Sequence, residues 1–132
     1  MADGAFYQEW LDFAEMDLNA AQFLLSMRPV PIEIICFHCE QAAEKMLKSV
    51  LVFFGQEPPR THDLVALCKM CEACDSCFEQ LRDSCVELTP YGVQARYPAN
   101  LELETSDMDC ALKECEKLHD FVCSFIGRRQ NL

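Results

Sequence analysis

The stretch "CKMCEACDSC" places four cysteines, Cys68, Cys71, Cys74 and Cys77, three residues apart. Sulfur at that density suggests zinc or iron–sulfur ligation, or a redox pair. Three-residue steps along an α-helix turn by about 300° each, so four such positions spread over roughly half the circumference and cannot meet at one ion. Structural zinc draws its thiolates from two separated pairs. Ferredoxin-type clusters place theirs on a wrapping loop, with a longer last interval and a proline after the final cysteine. Here the last interval is two residues and no proline follows. The spacing therefore predicts packed structural thiols, with Cys74 and Cys77, flanking the break at Asp75–Ser76, as the weak alternative for a metal or redox site.

Other residues offer anion chemistry. His38, Gln41, Lys45 and Lys48 follow one another at intervals of 3, 4 and 3, which puts them on one helix face opposite an apolar stripe. Two ammonium groups, an imidazole and an amide can hold a phosphate and orient a base or sugar. A plain solvated face is the competing account, and Glu40 and Glu44 nearby dilute the positive field. In "RTHD", Thr61 is the expected N-cap and Asp63 the acid of the first turn. Arg60 and His62 beside that N-terminus would suit an anion. In "ARYP", Arg96 can meet a phosphate and Tyr97 can stack on a base. Asp17 sits at the edge of an apolar face and needs a partner from another helix, an Arg or Lys such as Arg96. His119, alone on its helix, is expected to pack or to be solvated.

The elements that must position these groups are helices. Trp10, Phe13, Ala14, Leu18, Ala21, Leu24 and Leu25 form one stripe, predicting a first helix over about residues 5–27. "RPVP" stops it. A second helix is predicted over about 32–54, with Ile35, Cys39, Ala42, Ala43, Met46, Leu47 and Val50 inward and Gly55 as its stop. A third begins after Thr61. A fourth is predicted from a capping box of Ser76 and Glu79. A last helix begins near Ser106 or Asp107 and carries Arg128 and Arg129 at its end. No strand, repeat or low-complexity segment is found, so the expected architecture is an all-α antiparallel bundle of about five helices. It should form one domain, 1–132, with a core over about 6–126.

Composition narrows the function. The chain has 132 residues, 51% of them hydrophobic, and a formal net charge of −11. Such a field repels polyanions and disfavours generic DNA binding. No apolar run approaches the ~20 residues that span a bilayer, and the acidic start lacks a signal-peptide pattern, so a cytoplasmic protein is expected. Its ten cysteines, including Cys36, Cys39, Cys85, Cys110, Cys115 and Cys123, are then expected to be reduced thiols in helices.

Taken together, "W-x3-A-x2-DL-x2-A" (Trp10 to Ala21), "ICFHCEQAAEKMLKSVL", "G-x2-PPRTHDL" and "CVELTPYGVQARYP" resemble the HEPN family (higher eukaryotes and prokaryotes nucleotide-binding domain) over about residues 6–126. The resemblance implies an all-α bundle, usually a homodimer, and often a partner that is a minimal nucleotidyltransferase in a two-component, toxin–antitoxin-like pair. A large subset of the family are metal-independent ribonucleases with an Arg, four to six residues, then His. Neither Arg28, Arg60, Arg82, Arg96 nor Arg128 is followed by such a His; Arg60 and His62 are one residue apart, and Lys113 precedes His119 but lacks a guanidinium fork. The expected function is a non-catalytic nucleotide- or anion-binding module with no cofactor, its site formed by His38, Gln41, Lys45, Lys48, Arg60, His62, Arg96 and Tyr97. The alternatives are a ribonuclease using Arg60 and His62 with Arg96 of a second copy, and a thiol-rich metal or redox protein.

Overall fold

The structure is a computed structural model that describes residues 2–92 and 102–130, with side chains from residue 6 onward. Among the described residues there are five α-helices: α1 (Ala2–Phe23), α2 (Ile32–Phe53), α3 (Leu64–Cys74), α4 (Arg82–Leu88) and α5 (Thr105–Gln130). There is no strand among the described residues, and no helix among them is long and apolar enough to cross a membrane. Arg96 and Tyr97 lie outside the described residues.

α2 is the axis of the bundle, with α1, α3 and α5 packed on it. From α1 it receives Tyr7, Leu11, Ala14, Leu18 and Ala21, all buried and spaced alternately 4 and 3, the seam of two nearly antiparallel helices. Phe13 and Leu25, expected inward, are instead 56% and 36% exposed. Their neighbours fill the seam, and Leu25 falls in a 3-10 turn, Leu24–Ser26, where the rotation per residue changes. α2 ends as "FG" requires. Gly55 takes a φ of 79°, its N–H donates to Val52 O at 2.9 Å, and Gln56 N–H donates to Leu51 O at 2.9 Å. Only glycine adopts that left-handed geometry without strain, and the paired bonds satisfy the last carbonyls of the helix.

Two expected caps are displaced. Asp63, not Thr61, is the N-cap of α3: its backbone is extended and its Oδ1 accepts from Ala66 N–H at 3.1 Å, while Thr61 Oγ1 accepts from Asp63 N–H at 3.2 Å. The helix starts at Leu64, so the capping position falls two residues later than Thr61. Similarly, the Ser76/Glu79 capping box does not form. Asp75 is the junction residue: its N–H closes α3 onto Cys71 O, and its Oδ1 accepts from Cys77 N–H at 2.9 Å. The chain continues as a 3-10 stretch, Ser76–Leu81, before α4.

That tight stretch drives Phe78 into the core, edge-on to Phe125 at 4.7 Å and to Phe121 at 5.5 Å between ring centroids. Phe125 also meets Phe53 and Phe54, and the Arg129 guanidinium lies 4.9 Å over the Phe125 ring while bonding Asp75. One aromatic cluster thus joins the ends of α2, α3 and α5.

Phe78→Ala is expected to destabilise the fold by about 3–5 kcal/mol, read from urea denaturation; a loss below about 1 kcal/mol would show that the cluster is not a shared core. Asp75 is held below its ordinary value of 3.8, first by the bond from Cys77 N–H and then by Arg129. Its stabilisation is therefore complete above that value and is lost as pH falls through the lowered one. Asp75→Asn should flatten the acid limb of the stability–pH curve relative to wild type; parallel curves would contradict the assignment.

Candidate functional site

One face of α2, the N-terminal end of α3 and the end of α4 enclose a cleft of about 800 Å3. Phe37, Glu40 and Gln41 form its α2 wall, His62 lies on the α3 side, and Val86 and Gly92 on the α4 side. Gln41 Nε2 donates to Glu40 Oε1 at 2.8 Å, so an amide and a buried carboxylate present a joined polar edge beside apolar walls. Gly92 closes the far side. A Cβ there would lie 2.9 Å from the Glu40 carboxylate, so the close approach of the chain after α4 depends on the missing side chain.

The basic stripe of α2 does not act as one wall. His38 and Lys45 turn toward α1, where Asp17 receives both: His38 Nδ1–H donates to Oδ1 at 3.0 Å, and Lys45 Nζ donates to Oδ2. Asp17 thus takes a Lys and a His from another helix. The His38 and Lys45 part of the face expected to bind an anion is instead partly covered by α1, which packs beside the apolar stripe as well as on it.

Lys48 is 7% exposed and donates to Glu44 Oε2 at 3.1 Å, with its Nζ 5.5 Å from the Trp10 ring centroid. Glu44 Oε1 also accepts from His62 Nδ1–H at 2.8 Å, across from α2 to the connector before α3. Glu44 is 6% exposed and His62 75%, so a buried carboxylate anchors a ring whose other nitrogen, Nε2, remains for a ligand. Gln41 and His62 are therefore the two expected site residues that share the cleft. Lys45 and Lys48 have their charges matched inside the bundle. Arg60 is exposed in the connector and makes no hydrogen bond or ion pair with the described residues.

Sequence reasoning missed Phe37, Glu40, Val86 and Gly92. Glu40 carried a signal, since an acid within the stretch "CEQAA" is flanked by inward positions. Gly92, in "TPYG", carried no signal of its own.

The thiols of the ladder divide at Asp75. Cys68 and Cys71 are buried, their S–H groups directed to Phe78 O and Leu47 O at 3.5 Å. Cys74 Sγ accepts from Gln56 Nε2 at 3.3 Å. Burial raises the Cys71 and Cys74 thiols above their ordinary value of 9.0, and burial followed by the Asp75 carboxylate pushes Cys77 up to about 11. Thiols held protonated are poorer nucleophiles near neutral pH. Outside the ladder, Cys36, Cys39, Cys85 and Cys115 are also buried, with Cys36 pushed by burial up to about 12.

Glu44→Leu, which strands the Lys48 ammonium, is expected to cost about 3–5 kcal/mol in chemical denaturation. Glu44→Leu/Lys48→Met should recover most of that loss because no buried charge is left. A double variant no more stable than the single one would refute the pairing.

The HEPN domain family profile matches residues 7–128. Among solved structures, TT1696 from Thermus thermophilus superposes with a TM-score of 0.74 at 25% identity, covering 89% of this chain and 96% of that one. ST0689, described as an archaeal HEPN homologue, gives a TM-score of 0.71 at 24% identity over 91% of this chain and 97% of its own. No curated protein matches. With five α-helices and no strand among the described residues and a family match that spans nearly its whole length, the chain belongs to the HEPN domain family.

Proposed function

We propose that this protein is a non-catalytic nucleotide-binding module that works as a homodimer beside a small nucleotidyltransferase. The cleft between α2, α3 and α4 carries this reading. Its volume of about 800 Å3 falls within the roughly 300–1,000 Å3 of small-molecule sites, and it has their usual makeup of apolar walls with a few convergent polar groups. A base would lie against Phe37, with its polar edge toward Gln41 and Glu40. His62 and Arg60 would meet the phosphate end. Arg96 and Tyr97 are assigned to closing the site on sequence alone.

Two features shape the expected preference. Asp17 and Glu44 already neutralise Lys45 and Lys48, so base and sugar contribute more to recognition than phosphate does. The net charge of −11 further disfavours long polyanions. For the dimer, the support is on α1, where Phe6, Phe13, Met16 and Phe23 are all exposed and fall within about 100° of one helix face. Such a stripe on a helix whose other side is buried suits a self-complementary contact. The nucleotidyltransferase partner and a toxin–antitoxin-like role rest on the family resemblance.

One observation favours a second reading, the ribonuclease. The His62–Glu44 pair has the carboxylate-oriented imidazole of a general acid–base, and Arg60 lies two residues away. Growth arrest on expression that Glu44→Gln and His62→Ala both abolish would favour it.

Calorimetry with purine and pyrimidine nucleoside triphosphates should give saturable binding to at least one. Gln41→Ala should weaken it by about tenfold, the equivalent of one hydrogen bond of ~1.4 kcal/mol, and Lys45→Ala by much less. Absence of heat with every nucleotide, or Gln41→Ala and His62→Ala binding as wild type does, would remove the proposal.

A further inference from the structure

On the opposite side of the bundle from the cleft residues, α1 and α5 bring together three groups that nucleotide recognition does not use. Glu15 Oε2 lies 2.8 Å from His119 Nε2, and Cys123 Sγ lies 3.3 Å from that same nitrogen. The carboxylate, imidazole and thiol donor atoms all fall within 4.8 Å of one another. His119 and Cys123 are four residues apart on α5 and so share a face, while Glu15 reaches across from α1. We propose that Glu15, His119 and Cys123 form a binding site for one divalent cation of the zinc class, bridging α1 and α5.

Without an ion, the His119 Nε2–H can be shared between the Glu15 carboxylate and the Cys123 sulfur in a bifurcated hydrogen bond; with an ion, the same three atoms become its ligands. Three lone-pair donors directed at one region are what a metal ion requires. With bonds of about 2.0–2.1 Å to nitrogen and oxygen and 2.3 Å to sulfur, tetrahedral ligand atoms stand about 3.3–3.6 Å apart. The present separations are 2.8 and 3.3 Å to the imidazole nitrogen, with carboxylate and thiol within 4.8 Å of each other, so side-chain torsions must move the donors by about 1 Å or less to reach that arrangement.

The donor set also selects the ion. Thiolate, imidazole and carboxylate together suit zinc, cobalt or nickel over magnesium or calcium, which take oxygen alone. Glu15 is 41% exposed and His119 22%, so an ion can enter and solvent can complete the fourth position. Asp120 Oδ1 lies 3.7 Å from His119 Nδ1, beyond hydrogen-bond distance, so its influence on the ring is through its charge alone. On binding, the ion takes the Nε2 lone pair and one carboxylate oxygen, and the Cys123 thiol releases its proton to solvent.

Metal-free, fully reduced protein titrated with Co2+ tests the site, with thiolate-to-cobalt absorbance in the near ultraviolet as the readout. Wild type should show a band that saturates at one equivalent and is displaced by Zn2+. Cys123→Ser should lose the band, and His119→Gln and Glu15→Gln should weaken binding by about tenfold or more. Cys74→Ser/Cys77→Ser should keep the band unchanged. No saturable band in wild type overturns the proposal, as does a Cys123→Ser protein with wild-type helicity that retains the band. If Cys123→Ser does not fold, the partly exposed Glu15→Gln decides, and wild-type affinity there overturns the site.

Discussion

The Glu44 carboxylate is the contact on which the arrangement of this bundle turns. α2 is packed by α1, α3 and α5, so the polar side chains on its covered faces must find partners or be left buried at high cost. Glu44 meets that demand twice, holding Lys48 of its own helix and His62 of the connector to α3. Ser49 does so through Tyr7 O on α1. No buried side-chain nitrogen or oxygen among the described residues lacks a partner. An ion pair buried this deeply adds little net stability. What it adds is placement, since the His62–Glu44 bond ties the connector before α3 to α2.

Asp17 plays the matching part on the other side of α2. Its carboxylate collects His38 and Lys45, which sets how far α1 can slide along α2. Two acids, one on α1 and one on α2 itself, thus convert what looked like a free basic stripe into internal struts. The cleft is what lies past these struts, where Gln41 and Glu40 face an open space bounded by Val86 of α4 and by Gly92 rather than a packed helix face. Gly92 allows that closeness only because it has no Cβ to meet Glu40. Across the bundle, the Glu15–His119–Cys123 group depends on the same α1–α2–α5 packing, since its ligands come from two helices that α2 brings together.

Much of the fold was legible in the residues. The "RPVP" stop, the Gly55 terminator and the inward stripe of α2 act through local backbone sterics and periodicity, and each stands where local chemistry puts it. Boundaries that depend on competition between neighbouring polar residues were less legible. Thr61 and Asp63 are both good caps, and the choice falls to Asp63 because its backbone is the one held extended at the start of α3. Likewise Asp75 displaces Ser76, since it also gains Arg129 from the distant end of α5. Of the candidate site, Gln41 and His62 were visible as residue types, but Glu40 read only as an acid diluting the basic stripe, and Phe37 carried no polar signal of its own.

The sequence by itself determined a helical, acidic chain whose cysteines, placed at helical spacing, serve mainly as small apolar residues. Periodicity, charge and glycine or proline punctuation are local properties, and they need no knowledge of neighbours. Only the tertiary structure decided which charges are available to a ligand. Lys45 and Lys48 are matched by Asp17 and Glu44, His62 is anchored but open, and Cys123 and His119 meet Glu15. Those pairings join residues from 4 to 108 positions apart, and their strength depends on the distance and burial that packing alone sets.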